Sequence, residues 1–213
     1  MNKTQCVIFD CEGTLVDSET LCCQALSIVF SQFGAHLTTE QAMSHFEGGK
    51  LADILEETRR RLNVSVSIDT LEPLYRETLK GLFDSQLQPM EGVFDVLKDL
   101  ESKNIDYCVA SNGPRDKIEH ALELTGLLPH FKGKVFSAFE TNSWKPEPDL
   151  ILYSAMNMGY SVDQCMYIDD TPKGIEAGVR AGMKSIRLSG VSDGTFPGTY
   201  QTIDKLSQLV EIV

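Results

Sequence analysis

Apolar residues fall along this chain in two patterns. Five short, continuous apolar runs each stop at a polar residue: "CVIFD" (Cys6–Asp10), "YCVASN" (Tyr107–Asn112), "KVFSA" (Lys134–Ala138), "CMYIDD" (Cys165–Asp170) and "SIRLS" (Ser185–Ser189). Runs of this length without alternation suit strands buried on both faces, as in a parallel sheet. From Val93 onward, stretches with helical spacing separate them: Val93–Lys103, Pro114–Thr125, Pro148–Met158 and Pro172–Ala181. Proline opens three of these and glycine follows the same three, at Gly126, Gly159 and Gly182. Both are ordinary punctuation for a helix. Strand alternating with helix predicts an open α/β sheet.

Between the first two strands the rhythm changes. From Asp17 to about Phe83 only helical patterns appear, over Ser18–Phe33, Thr39–Phe46, Leu51–Leu62 and Ile68–Phe83, with Ser18 expected as the first N-cap. The expectation is a Rossmann-like α/β core, residues 1–16 and 87–213, carrying an inserted α-helical cap, residues 17–86. Hinges are expected at Leu15–Ser18 and Gln86–Gly92. Gly190–Tyr200 reads as an irregular loop and Ile203–Ile212 as a last helix.

Charge narrows the functions available. A net charge of −12 repels polyanions and argues against nucleic acid as a partner. A small anionic substrate needs a metal and a few placed cations to reverse the local field. No apolar stretch is long enough for a bilayer and no leader is apparent, so a soluble, cytoplasmic protein without a membrane partner is expected. A monomer or weak oligomer is expected. The six cysteines form no Cys-x-x-Cys pair and read as small buried thiols. His36, His45, His120 and His130 have no metal-ligand spacing.

In open α/β sheets, ligands collect at the carboxyl ends of strands. The first strand ends on Asp10, Glu12 and Thr14, the second on Ser111, Asn112 and Gly113, and the fourth on Asp169 and Asp170. Lys145 lies in the loop after the third. Each alone reads as a turn former or helix cap. Together, three or four converging carboxylates require a cation, and oxygen ligands without His or Cys favour Mg²⁺. A lysine and a serine beside them suit a phosphoryl group, and a carboxylate is able to attack phosphorus.

These residues resemble the haloacid dehalogenase superfamily over nearly the whole chain. "DCEGTLVDS" is similar to its first motif, "VASNGP" to the second, "WKPEPDLI" to the third and "YIDDTPKGIEAGVRAGM" to the fourth. Trp144 stands where glycine is more usual. The helical insert resembles the cap of the β-phosphoglucomutase branch. "LFDSQLQPMEG", "SNGPRDKIEH" and "WKPEPDLILYSAM" look closest to bacterial 6-phosphogluconate phosphatases.

The resemblance implies a Mg²⁺-dependent phosphatase of a small phosphorylated metabolite, a sugar or sugar acid, acting through an aspartyl-phosphate. It implies Asp10 as nucleophile and metal ligand. Position 12, here Glu12, would be the acid/base and would give its backbone carbonyl to the metal. Ser111, Asn112 and Lys145 would hold phosphate, and Asp169 and Asp170 would complete the metal site. Lys50, in the cap loop "FEGGKLADIL", is the first specificity candidate and Arg115 the second. Arg115 and Lys117 would add positive field.

The family's phosphatases carry aspartate at position 12. Glutamate keeps a similar intrinsic acidity, about 4.3 against about 3.9, but reaches one methylene further. Three outcomes are open: a refitted, working acid/base; a slow enzyme; or a silent sugar-phosphate binder. A β-phosphoglucomutase-type phosphomutase is the nearest enzymatic alternative.

Overall fold

The computed structural model describes residues 3–189 and 197–213. Strands are β1 (Cys6–Phe9), β2 (Val16–Asp17), β3 (Gln88–Pro89), β4 (Asp106–Ser111), β5 (Val135–Ser137), β6 (Cys165–Asp169), β7 (Lys184–Leu188) and β8 (Gln201–Ile203). Helices are α1 (Glu19–Ser31), α2 (Thr39–Met43), α3 (Leu51–Arg61), α4 (Ile68–Gln86), α5 (Val93–Ser102), α6 (Arg115–Leu124), α7 (Ala138–Thr141), α8 (Asp149–Met158) and α9 (Pro172–Arg180).

Six strands form one sheet in the order β5-β4-β1-β6-β7-β8, every pair parallel. The fold is the α/β class expected. β1 lies centrally, with Val7 opposite both Tyr107 and Met166. Its residues alternate between two cores. Val7 and Phe9 face one apolar cluster, and Cys6 and Ile8 face the other. Burial on both faces is why the strand reads as an unbroken apolar run.

The chain crosses from β1 to β4 on one side, then returns to β6 on the other. The carboxyl end of β1 is therefore a switch point, where a crevice opens above the sheet. Asp10, Ser111, Asp169 and Asp170 leave the sheet there on neighbouring strands.

Helices α1 to α4 fall between β1 and β4 in sequence. Within α4, Leu71, Tyr75, Leu79 and Phe83 are buried, one residue in four along a single stripe. Burying each is worth roughly 1.5–3 kcal/mol. The stripe packs toward α1 and α3. Thr38 caps α2 with a capping box, and the Ser67 hydroxyl accepts from Thr70 N–H at the start of α4. No helix among the described residues is long and apolar enough to cross a membrane.

Three local expectations differ from the structure. Ser18 occupies the N-cap position of α1, but its hydroxyl accepts no capping hydrogen bond. Its backbone is helical and its side chain is fully buried, so it faces inward. Strand pairing also begins inside the stretch read as purely helical. Val16 and Asp17 pair antiparallel with Pro89 and Gln88, forming a ribbon at the two expected hinges. The expected last helix is divided: Gln201–Ile203 pairs with β7 as the edge strand, and Leu206–Glu211 is a 3₁₀ turn. Of the loop read over 190–200, only 197–200 lie among the described residues.

Candidate active site

β1 ends by handing Asp10 into a tight loop. Asp10 N–H donates to the Ile168 carbonyl, so the neighbouring strand fixes its height above the sheet. Leu15 and Val16 N–H both return to the Cys11 carbonyl, closing the loop within six residues. Gly13 makes the closure feasible. Its φ is +81°, and a Cβ there would sit 2.2 Å from Asp170 Oδ2. A side chain at position 13 would displace the carboxylate beside it.

The floor of the site is an ionic cluster. Lys145 Nζ lies 2.5 Å from Asp10 Oδ1 and 2.9 Å from Asp169 Oδ2, with all three residues buried. Asp169 accepts hydrogen bonds at both oxygens. Its Oδ2 also accepts from Tyr167 OH at 2.5 Å, and its Oδ1 accepts from Thr171 N–H and Thr171 Oγ at 2.8 and 2.7 Å. Thr171 meanwhile caps α9 by accepting from Gly174 N–H, so the capping role and the site role belong to one residue. Asp170 Oδ1 accepts from Thr14 Oγ at 3.1 Å, while its buried Oδ2 has no hydrogen-bond partner among the described residues.

Burial pushes Asp10 up to about 7; the Lys145 ammonium works against that shift and the Asp169 charge adds to it. Asp170 is raised as well, by burial and then by Asp169. Burial opposes the charge on Lys145, but the facing carboxylates of Asp10 and Asp169 outweigh it and hold the ammonium protonated. The floor thus gathers three carboxyl groups around one lysine, and without a further cation they resist being charged together.

Asp10, Asp169 and Asp170 bring carboxylate oxygens within 4.8 Å of one another. Three oxygen donors, one of them buried and unpartnered, fit a hard divalent cation such as Mg²⁺.

A cavity of about 290 Å³ opens above this floor. Ser111 and Asn112 border it from β4. Ser111 Oγ accepts from Gly113 N–H, and Asn112 Oδ1 accepts from Lys145 N–H at 2.9 Å, which positions the lysine loop. From the helical insert come Lys50 and Tyr75. The Lys50 ammonium stands 4.2 Å from the centroid of the Trp144 ring. Glu12 lines the cavity, with its carboxylate held by Lys117 at 2.5 Å.

Of the two cations expected to add positive field, the structure brings only Lys117 to the cavity. Arg115 does not line it, contrary to the expectation. Its guanidinium is tied to Glu140, Glu119 and the Val135 carbonyl, bracing α6 against α7 and β5. Tyr167, Thr171, Tyr75 and Cys22 also belong to the site and are not among the residues that the strand-end pattern points to. Tyr167 was accessible, because it lies two residues before Asp169 on the same face of β6.

A family profile described as haloacid dehalogenase-like hydrolase matches residues 7–188. The 6-phosphogluconate phosphatase of Escherichia coli (strain K12) is 35% identical over 184 residues, spanning 86% of this chain and 82% of that protein. The phosphorylated carbohydrates phosphatase of Thermotoga maritima is 25% identical over 182 residues, spanning 85% and 83%. A solved haloacid dehalogenase-like protein of unknown function from Agrobacterium tumefaciens str. C58 superposes with a TM-score of 0.84 at 25% identity, covering 98% of this chain and 97% of that one. With the fold, the strand-end cluster and the sequence match in agreement, the chain belongs to the haloacid dehalogenase-like hydrolase family.

Proposed function

We infer that this protein is a Mg²⁺-dependent phosphatase of small phosphorylated sugars or sugar acids, with 6-phosphogluconate the first substrate to try. One observation carries the reading. A buried lysine bridges Asp10 and Asp169 beside an unpartnered Asp170 oxygen, at the floor of a cavity large enough for a metabolite. The names of the phosphatases similar to this chain support the substrate class.

Asp10 attacks phosphorus. The bond to the leaving oxygen breaks, and that oxygen takes a proton from Glu12. Water then gives a proton to Glu12 and attacks the aspartyl-phosphate, releasing phosphate and Asp10. Lys145 and the Ser111 hydroxyl hold the phosphoryl oxygens, and Asn112 keeps the Lys145 loop in register. Asp10, Asp169, Asp170 and the backbone carbonyl of Glu12 would hold Mg²⁺. When bound, the ion polarises the phosphoryl group and offsets its charge. General acid catalysis contributes typically about 10²–10⁴-fold, which is the share that depends on Glu12.

Residues 17–86 act in this reading as a cap whose Lys50 meets a second anionic group on the substrate. The enzyme works in the cytoplasm on soluble metabolites, consistent with six unpaired, buried cysteines. The test is phosphate release from a phosphosugar panel with and without Mg²⁺. Metal-dependent release supports the reading. Isomerised sugar phosphate without free phosphate would assign a mutase. Ligand-induced thermal stabilisation without turnover would assign a binder.

A further inference from the structure

The extra methylene of Glu12 ends on a specific partner. Lys117 Nζ lies 2.5 Å from Glu12 Oε1, and the other carboxylate oxygen is 4.0 Å from Cys22 Sγ. Lys117 comes from the first turn of α6, in the sheet portion of the chain. Its ammonium is 5.6 Å from the Phe83 ring centroid, near the end of α4. Tyr75, also on α4, donates from its hydroxyl to the Cys22 carbonyl at 3.4 Å. The Glu12 carboxylate is thus held at the seam where α6 meets α1 and α4.

Both members of the pair line the cavity, and their side chains are 26% and 28% exposed. An aspartate at position 12 would be one methylene too short for the same contact. Lysine at 117 and glutamate at 12 therefore form a matched pair. The Lys117 ammonium is already engaged by Glu12 Oε1, so it has little left to offer a substrate anion.

We propose that Lys117 is a positioning residue for Glu12, its ammonium holding the long carboxylate on the cavity wall where it serves the leaving oxygen. A glutamate has one more side-chain torsion than an aspartate, so an unrestrained carboxylate at this position would sample more orientations. An acid/base must lie within hydrogen-bond reach of the proton it moves. The ion pair from α6 supplies a restraint on that extra torsion. This inference rests on the phosphatase reading and deepens it.

The experiment compares the unaltered protein with Lys117→Met, Lys117→Arg, Glu12→Asp and the Glu12→Asp/Lys117→Met double variant. Each is assayed with a sugar phosphate and with p-nitrophenyl phosphate, and melting temperatures establish that each variant is folded. Lys117→Met is expected to lower kcat on the sugar phosphate by about 10- to 100-fold, at or below the lower end of the roughly 10²–10⁴-fold that a general acid contributes, because the acid is misplaced rather than removed. KM should stay within about threefold, because transition-state placement is lost rather than ground-state binding. The aryl phosphate, whose leaving group needs no proton, should lose far less. Lys117→Arg should recover part of the rate. In the Glu12→Asp background the same lysine change should cost less than about threefold, because the pair is already broken.

Three outcomes overturn the proposal: an equal loss in both backgrounds, a rise in KM with kcat preserved, or a Lys117→Met enzyme indistinguishable from the unaltered one. The second would make Lys117 a substrate contact. If the unaltered protein hydrolyses neither ester, the phosphatase reading falls and takes this proposal with it. Turnover that is insensitive to Lys117 removes the proposal alone.

Discussion

At the floor of the cavity, Asp169 accepts four hydrogen bonds and Lys145 bridges two carboxylates, with Asp10, Lys145, Tyr167 and Asp169 buried and only Thr171 half-buried. On the wall, Lys50 rests on one aromatic ring, and Glu12 meets one ammonium from a half-exposed position. Both regions face the same space, yet they are built differently. The floor is fixed by neighbouring parallel strands, whose ladders set the relative positions of Asp10 and Asp169. The wall comes from helix starts and loops, whose side chains are long and held singly. A phosphoryl group is the same in every substrate and suits an invariant floor. The rest of the substrate varies, and a wall of long, singly held side chains accommodates such variation.

Substitutions should separate the two regions. The largest effect is expected from Lys145→Met. It strands two buried carboxylates, and breaking a buried pair costs about 3–5 kcal/mol. Urea unfolding should show a loss of that order, with phosphate release abolished. A variant of unchanged stability would mean that the floor is less tightly coupled than its geometry indicates.

Asp170→Asn comes next. In the unaltered protein, Mg²⁺ at 100 times its dissociation constant should stabilise the fold by about 2.7 kcal/mol. A thermal melt of the variant should show most of that gain gone, because the unpartnered carboxylate oxygen has been replaced. An undiminished Mg²⁺ shift would place the ion elsewhere.

On the wall, Lys50→Ala should raise KM about tenfold, or about 1.4 kcal/mol, for substrates carrying a second anionic group. Esters lacking one should be unaffected. Loss of the contact with Trp144 should cost stability of only about 0.5–1 kcal/mol. Equal effects on both substrate classes would remove Lys50 from substrate selection. The smallest effect should come from Glu56→Ala, which breaks partly exposed ion pairs to Arg59 and Arg60 on α3. Surface pairs of this kind contribute little, so neither melting temperature nor turnover should move measurably.

The floor was far more legible in the sequence than the wall. Parallel strands send their carboxyl ends to one side, so reading strand ends was enough to gather Asp10, Ser111, Asp169 and Asp170. The ribbon of β2 and β3 was invisible because two residues per strand show no period. β8 was missed because Gln201 and Thr202 are exposed on an edge, and Ile203 begins an apolar spacing that resembles a helix. Arg115 was misplaced because its partner Glu140 lies 25 residues away and depends on the packing of α6 beside α7. Glu12 stood out as unusual in the sequence. What it reaches became visible only when α6 brought Lys117 against it.

The account rests above all on Asp10 as the group that takes the phosphoryl. The most direct test is steady-state phosphate release from a sugar phosphate in saturating Mg²⁺ by the unaltered protein and by Asp10→Asn, with unfolding curves showing both folded. The expected result is metal-dependent release by the unaltered protein and release at the uncatalysed background by the variant. Sustained turnover by Asp10→Asn would contradict it.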